Sequence, residues 1–218
     1  MVQCCLPLPV AEHVLADPRE DLTTAGQEFR ARLYMVDSRS WGLATPCEGW
    51  SVRELTSHVG VGNQRTTYFL GGASHEEAAA KVDRDLVGED PSGAFDWSLS
   101  AQARAFADED ALERPCETDI GEITGRQLLR FRILDLVLHR WDLSRAIGTN
   151  EYLDAVLVEH TWREIEPIVP TMGSMGVFGD GPSGTLPTHL HSSSCWTLLA
   201  AAHSEGVRDD GYVAMVHQ

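Results

Sequence analysis

The sequence is short of lysine, short of positive charge and without a long apolar run. Lys81 is the only lysine, and 17 Lys+Arg stand against 33 Asp+Glu, for a formal net charge of −16. So acidic a surface repels phosphate backbones, which argues against nucleic acid as a partner and leaves solubility as the ordinary meaning of the charge. No apolar stretch reaches the roughly 18 residues that a membrane-spanning helix needs, so no membrane partner is expected. The first residues, MVQCCLPLPVAEHVLADPRED, lack a basic segment, and Pro7 and Pro9 break their apolar run. They do not read as a signal peptide, and a cytoplasmic location is expected. Cys4, Cys5, Cys47, Cys116 and Cys195 are odd in number and form no CxxC. Reduced thiols fit that pattern better than a disulfide framework or a cysteine zinc site. There is also no internal repeat, no G-x-G-x-x-G, no P-loop and no nucleophile elbow, so nucleotide binding and serine hydrolase chemistry have no support.

What is present is an ordinary globular composition, 43% hydrophobic and 23% charged over 218 residues, enough for one domain with a buried core. Abundant Arg and Ala beside a single Lys is the style of a high-GC genome. Residues 1–20 read as a loose, Pro-containing leader. Leu22, Ala25, Phe29, Leu33 and Val36 form one stripe and predict a helix from Leu22 to Arg39. TPCEGW (45–50) marks a turn, and Ser51 with Glu54 gives the S-x-x-E signature of a capping box. A second helix is predicted from Val52 to Leu70, stopped at Gly71 and Gly72. An acidic, Ala-rich stretch over 73–110 breaks at Gly88–Gly93, and its second half, Phe95 to Phe106, predicts a third helix. Leu112–Gly121 reads as a connector with extended character. From Gly125 to Ile147 apolar residues crowd most of the cylinder, as in a central, buried helix. Another helix is predicted from Tyr152 to Ile168. After Pro170 the chain is rich in Gly, Pro and Ser, with one last apolar piece at Cys195–His203. The expectation is a mainly α fold: a helical bundle over 21–170 that carries the functional site, followed by an irregular extension over 171–218 packed on it.

Asp135 and His139 lie four residues apart on the central helix, so their side chains share one face, one turn apart. A carboxylate in the run RILDLVLH is costly unless it is paired or coordinates a cation. It has three explanations: pairing with Arg132 or Arg53, a wet face, or metal ligation. His58 sits one turn after Leu55 on a helix whose apolar face must enter the same core. His58, Asp135 and His139 together would supply two imidazoles and one carboxylate, a set that leaves metal positions open for water or substrate.

The segment TPCEGWSVRELTSH resembles the motif T-P-C-x-G-W-x-V-R-(D/E)-L-x-x-H of the mycothiol-dependent maleylpyruvate isomerase family, within the DinB-like metal-binding superfamily. The family's second hallmark is an acidic residue, three spacers, His, then x-W-D-L-A-x-A-x-G; here it is DLVLHRWDLSRAIG at 135–148, with Ser144 for the usual Ala. The resemblance covers about residues 22–150 and thins after them, where VFGDGPSGTLP is only faintly like the family's short Phe-Gly loop. It implies a DinB-like four-helix bundle holding a divalent metal through His58, Asp135 and His139, with Asp135 one methylene shorter than the family's usual Glu. Zinc, iron and nickel all suit those ligands. The implied chemistry is activation of a low-molecular-weight thiol, mycothiol, for addition to an electrophilic small-molecule substrate, giving isomerisation or S-transfer. Two alternatives use the same site: a non-haem iron or hydrolytic tailoring enzyme, and a metal-binding protein without catalysis.

Other residues carry weaker readings. Asp142 either holds the second ring nitrogen of His139 or pairs with Arg145. Trp50 and Trp141 read as packing. Arg53 reads as a surface group rather than an anchor for an anionic substrate. Arg126, Arg130 and Arg132 read as a salt-bridged face rather than a carboxylate fork. Cys47 reads as a buried structural cysteine rather than an activated thiol, and His189 with His191 as a solvated loop rather than a second metal site or a lid. The sequence fixes neither the substrate nor the oligomeric state.

Overall fold

The computed structural model describes residues 17–83 and 86–168, together with the strand Tyr212–Val213. The expected extension over 171–218, the piece Cys195–His203, His189 with His191, and the leader before Asp17 lie outside the described residues, apart from that strand. The fold is mainly helical, as the periodicity predicts. Helix α1 (Pro18–Leu33) starts inside the stretch read as leader, because Asp17 accepts from the Arg19 N–H and Pro18 fits the first turn. It ends before the predicted Arg39. There the Asp37 carboxylate accepts from the Arg39 N–H and the Ser40 hydroxyl, offering the backbone a turn instead of another helical bond.

Helix α2 (Val52–Leu70) has the predicted bounds, with Ser51 and Glu54 making both bonds of the capping box. A short helix α3 (His75–Lys81) was not expected; Ser74 and Glu77 cap it in the same way, but only Ala78 is buried, so it shows no apolar stripe. Helix α4 (Pro91–Phe106) begins a turn before Phe95, with Asp90 as cap and Pro91 in its first turn. The extended connector is a hairpin of β1 (Pro115–Thr118) and β2 (Gly121–Thr124). Helix α5 (Gly125–Ala146) follows at once, capped by Thr124 and Gln127. Strand β3 (Leu153–Asp154) pairs with β4 (Tyr212–Val213), and Asp154 then caps α6 (Ala155–Ile165), which tightens into a 3-10 turn at Glu166–Ile168. No helix among the described residues is long and apolar enough to cross a membrane.

Helix α1 packs on α4 and α5, α2 packs on the same two, and α6 lies on α5 and α1. Phe29, Leu55, Phe95, Leu129, Leu136 and Leu143 are buried where these faces meet, and Trp141 is 1% exposed. One polar thread crosses this core. Ser98 on α4 accepts from the Asn63 amide on α2, and Arg132 on α5 donates to the Asn63 carbonyl oxygen and to Gln102 on α4. Two close approaches make room for α5. A side chain at Gly62 would meet Arg132 Nη1 at 2.3 Å, and one at Gly125 would meet the Ala111 carbonyl oxygen at 1.8 Å.

Gly125 permits a test with opposed signs. Helix propensity alone makes Gly125→Ala a stabilising change at the start of α5. The contact with Ala111 reverses it, and we expect urea denaturation to show a loss of about 1–3 kcal/mol; a gain would mean that α5 and the segment before the hairpin are not so closely packed.

Candidate metal centre

The arrangement is built from α2 and α5. His58 lies in the second turn of α2 on the side facing α5, and Asp135 and His139 lie one turn apart on α5. Asp135 Oδ1 is 3.2 Å from His58 Nε2 and 3.4 Å from His139 Nε2. One ligand atom from each of the three lies within 4.8 Å of the others. Metal–nitrogen and metal–oxygen bonds of ~2.0–2.2 Å at tetrahedral angles place neighbouring ligand atoms ~3.4 Å apart, so the donor set fits a small divalent cation in both chemistry and spacing. The site faces outward on one side: the His58 side chain is 42% exposed, Asp135 23% and His139 13%.

Asp135 and His139 are each held by a further side chain. Arg132, one turn before Asp135, donates from Nη1 to Asp135 Oδ2 at 2.8 Å. That occupies one carboxylate oxygen and leaves Oδ1 toward the imidazoles. The pairing with Arg132 that the sequence left open is therefore made, by the oxygen that faces away from the histidines. Arg53, the other candidate, instead donates to the Gly88 carbonyl oxygen. His139 Nδ1 lies 2.9 Å from Asp142 Oδ2, and Asp142 is fully buried. A carboxylate on Nδ1 fixes the imidazole tautomer and turns Nε2 to the site. Cys47, from the turn before α2, is 6% exposed and donates to the same Asp142 oxygen at 3.3 Å. Burial pushes its thiol up, which disfavours the thiolate.

The charges follow from this packing. Burial raises the Asp135 carboxyl, but the Arg132 guanidinium and the two imidazoles outweigh it and hold the group well below the usual carboxylate range. For His139 burial opposes charge, yet Asp135 overrides it and Asp142 and Cys47 add to it, so the imidazole lies well above its usual value. Imidazoles ligate in the neutral form, so metal binding here would release a proton.

The other residues singled out in the sequence fall on both sides of the site. Trp141 is core, but Trp50 is more than packing. Its ring centroid stands 4.7 Å from that of His58 and 5.9 Å from that of His139, covering the imidazoles from the loop side. Arg126 pairs with Glu113 and Arg130 with Glu164, the salt-bridged face expected of them. Missed in the sequence were Gly62, whose bare backbone lets Arg132 pass, and Arg65. The signal for Arg65 was its spacing: seven residues after His58 is two helical turns on the same face.

A family model for the mycothiol maleylpyruvate isomerase N-terminal domain matches residues 22–144, more than half of the chain. The chain belongs to this family. An uncharacterized protein of Mycobacterium tuberculosis, matched in two strains, is 28% identical over 141 residues, 65% of this chain and 73% of the relative. Two crystal structures of the mycothiol-dependent maleylpyruvate isomerase, one of a mutant, align with a TM-score of 0.48 at 19% and 18% identity. The alignments cover 58% of this chain and 59% of the solved one, so the chain spans less than two thirds of the isomerase's length.

Arg132 anchors this arrangement, and its removal should be felt even without metal. Arg132→Met strands Asp135, Asn63 and Gln102, and metal-free protein should lose about 3–5 kcal/mol in urea denaturation, the usual cost of breaking a buried pair. A change below ~1 kcal/mol would mean that the thread is not formed in solution.

Proposed function

We propose that the protein is a divalent-metal-dependent enzyme that uses a low-molecular-weight thiol, mycothiol by family, to modify an electrophilic small molecule. The observation that carries this is the convergence of the His58, Asp135 and His139 ligand atoms at the outward side of α2 and α5. Family membership supports the thiol chemistry. Zinc, iron and nickel suit the ligands, and zinc is the ion of first choice for a set that must bind sulfur without redox change. When bound, such an ion supplies Lewis acidity that keeps a coordinating thiol deprotonated.

This chain's own residues prepare that chemistry. Asp142 holds His139 in the tautomer that presents the Nε2 lone pair. Arg132 keeps one Asp135 oxygen occupied, so the carboxylate offers a single oxygen to the site. Trp50 covers one flank of both imidazoles and excludes water there, which strengthens charge interactions. The open flank is left for substrate. The reaction is addition of the thiol sulfur to an electrophilic carbon. Rotation about the former double bond and loss of the thiol give an isomer, whereas retention of the adduct gives S-transfer. A non-haem iron or hydrolytic enzyme would use the same ligands, and the identity of the ion separates it from this reading.

Metal analysis of wild type beside His58→Ala, Asp135→Ala and His139→Ala is the decisive experiment. We expect near-stoichiometric zinc in the wild type and its loss in all three variants. Iron would turn the search to oxygen chemistry, and equal metal in every variant would sink the assignment. Asp142→Asn should keep the fold and weaken metal binding by about 10–100-fold in a chelator competition titration.

A further inference from the structure

A groove of about 190 Å³ leaves the three-residue cluster and runs between α2 and α5 toward the β1–β2 hairpin. His58 and Asp135 line its near end, and Arg65 and Asp119 its far end. Phe131 and Leu128 on α5 and Ile120 and Ile123 on the hairpin give the groove apolar walls, beside Thr66 and Thr118, and Phe69 lies one turn beyond Arg65. The floor is Gly62, where α2 offers no side chain. Two turns of α2 separate His58 from Arg65, a span of ~10 Å at 1.5 Å per residue. The groove thus has a metal-ligating end, an apolar middle and a cationic end.

The cation at the far end is of a particular kind. Arg132 also borders the groove, but its guanidinium is committed to Asp135, Asn63 and Gln102. Arg65 is committed only loosely. Its Nη2 is 3.4 Å from Asp119 Oδ2 and 3.1 Å from His75 Nδ1, and its Nε is buried with no hydrogen-bond partner among the described residues. The guanidinium stands 5.4 Å from the centre of the Phe69 ring, which limits where it can go. Asp119 sits at the exposed hairpin tip, between Thr118 and the turn at Gly121. Exposed pairs of this kind are worth little, so a better-placed anion can take the guanidinium from it. A carboxylate arriving along the groove meets Arg65 from its apolar side, where hydrogen bonds to a charged group are stronger than in water.

We propose that this groove binds an elongated amphiphile, a molecule with a carboxylate ~10 Å from its metal-seeking end, and that Arg65 holds the carboxylate in place of Asp119. The proposal rests on the metal reading of His58, Asp135 and His139 for one end only. The carboxylate end stands on Arg65 and the apolar walls, and the two ends are tested separately.

The probes are octanoate, octanol and ω-mercaptooctanoate, titrated by isothermal calorimetry into metal-free and zinc-supplemented protein. In metal-free protein, wild type should prefer octanoate to octanol by about tenfold, the usual worth of a hydrogen bond to a charged group. Arg65→Met should abolish that preference and leave octanol binding and metal content as they were. Asp119→Asn, at an exposed tip where folding is not at stake, should tighten octanoate several-fold by removing the competitor. The thiol end should add affinity only in zinc-supplemented protein. Equal binding of octanoate and octanol by wild type, or an unchanged preference in Arg65→Met, would overturn the carboxylate site. A thiol end that adds nothing to protein holding zinc would overturn the span to the metal, whereas protein that takes up no zinc would overturn the metal reading; the octanoate preference tests Arg65 in either case.

Discussion

The pair of Arg132 and Asp135 is the constraint around which the rest of the molecule is arranged. A guanidinium buried to this depth must satisfy its donors within the protein, and the core supplies acceptors from two other helices. Asn63 and Gln102 are buried for that reason, and Ser98 is drawn in behind Asn63. Gly62 is needed because any side chain there would occupy the space of the guanidinium. The outcome for the site is directional. One oxygen of Asp135 is pinned from below, so the other points to the two imidazoles.

The two imidazoles of the candidate site differ in how firmly they are held. His139 is fixed through Asp142, which is itself held by the Cys47 thiol from the turn before α2. His58 is covered by Trp50 and is the most exposed of the three. The site is therefore rigid on α5 and more open on α2, the side from which the groove leads away. The short aspartate side chain keeps its carboxylate close to the surface of α5, where Arg132 can reach it from the preceding turn.

The hairpin links this site to its surroundings. Gly125 N–H and Arg126 N–H donate to the carbonyl oxygens of Arg114 and Leu112, so α5 starts directly from the strand pair. Arg114 also donates to the Leu70 carbonyl oxygen at the end of α2. The hairpin is thereby tied to both helices that carry His58, Asp135 and His139, and its tip closes the far end of the groove.

Local chemistry was enough to read most of the helices. The Ser51–Glu54 capping box and the double-glycine stop gave α2 its bounds, and the nearly all-round apolar pattern of 125–147 marked α5 as central. These are signals within one or two turns of chain, which is why a sequence shows them. Where a turn competed with the helix, as at Asp37, or a helix had little to bury, as at His75–Lys81, the pattern misled. That Asp135 and His139 share a face was legible from spacing alone, and the two motifs bring in His58, whose imidazole the fold sets beside Asp135. Tertiary structure decided what no spacing encodes: that Arg132 takes one oxygen of Asp135, that Trp50 leans on the imidazoles, and that Arg65 and Asp119 meet across the groove. Each of these depends on the distance between different elements, and that distance is set only when α2, α5 and the hairpin pack together.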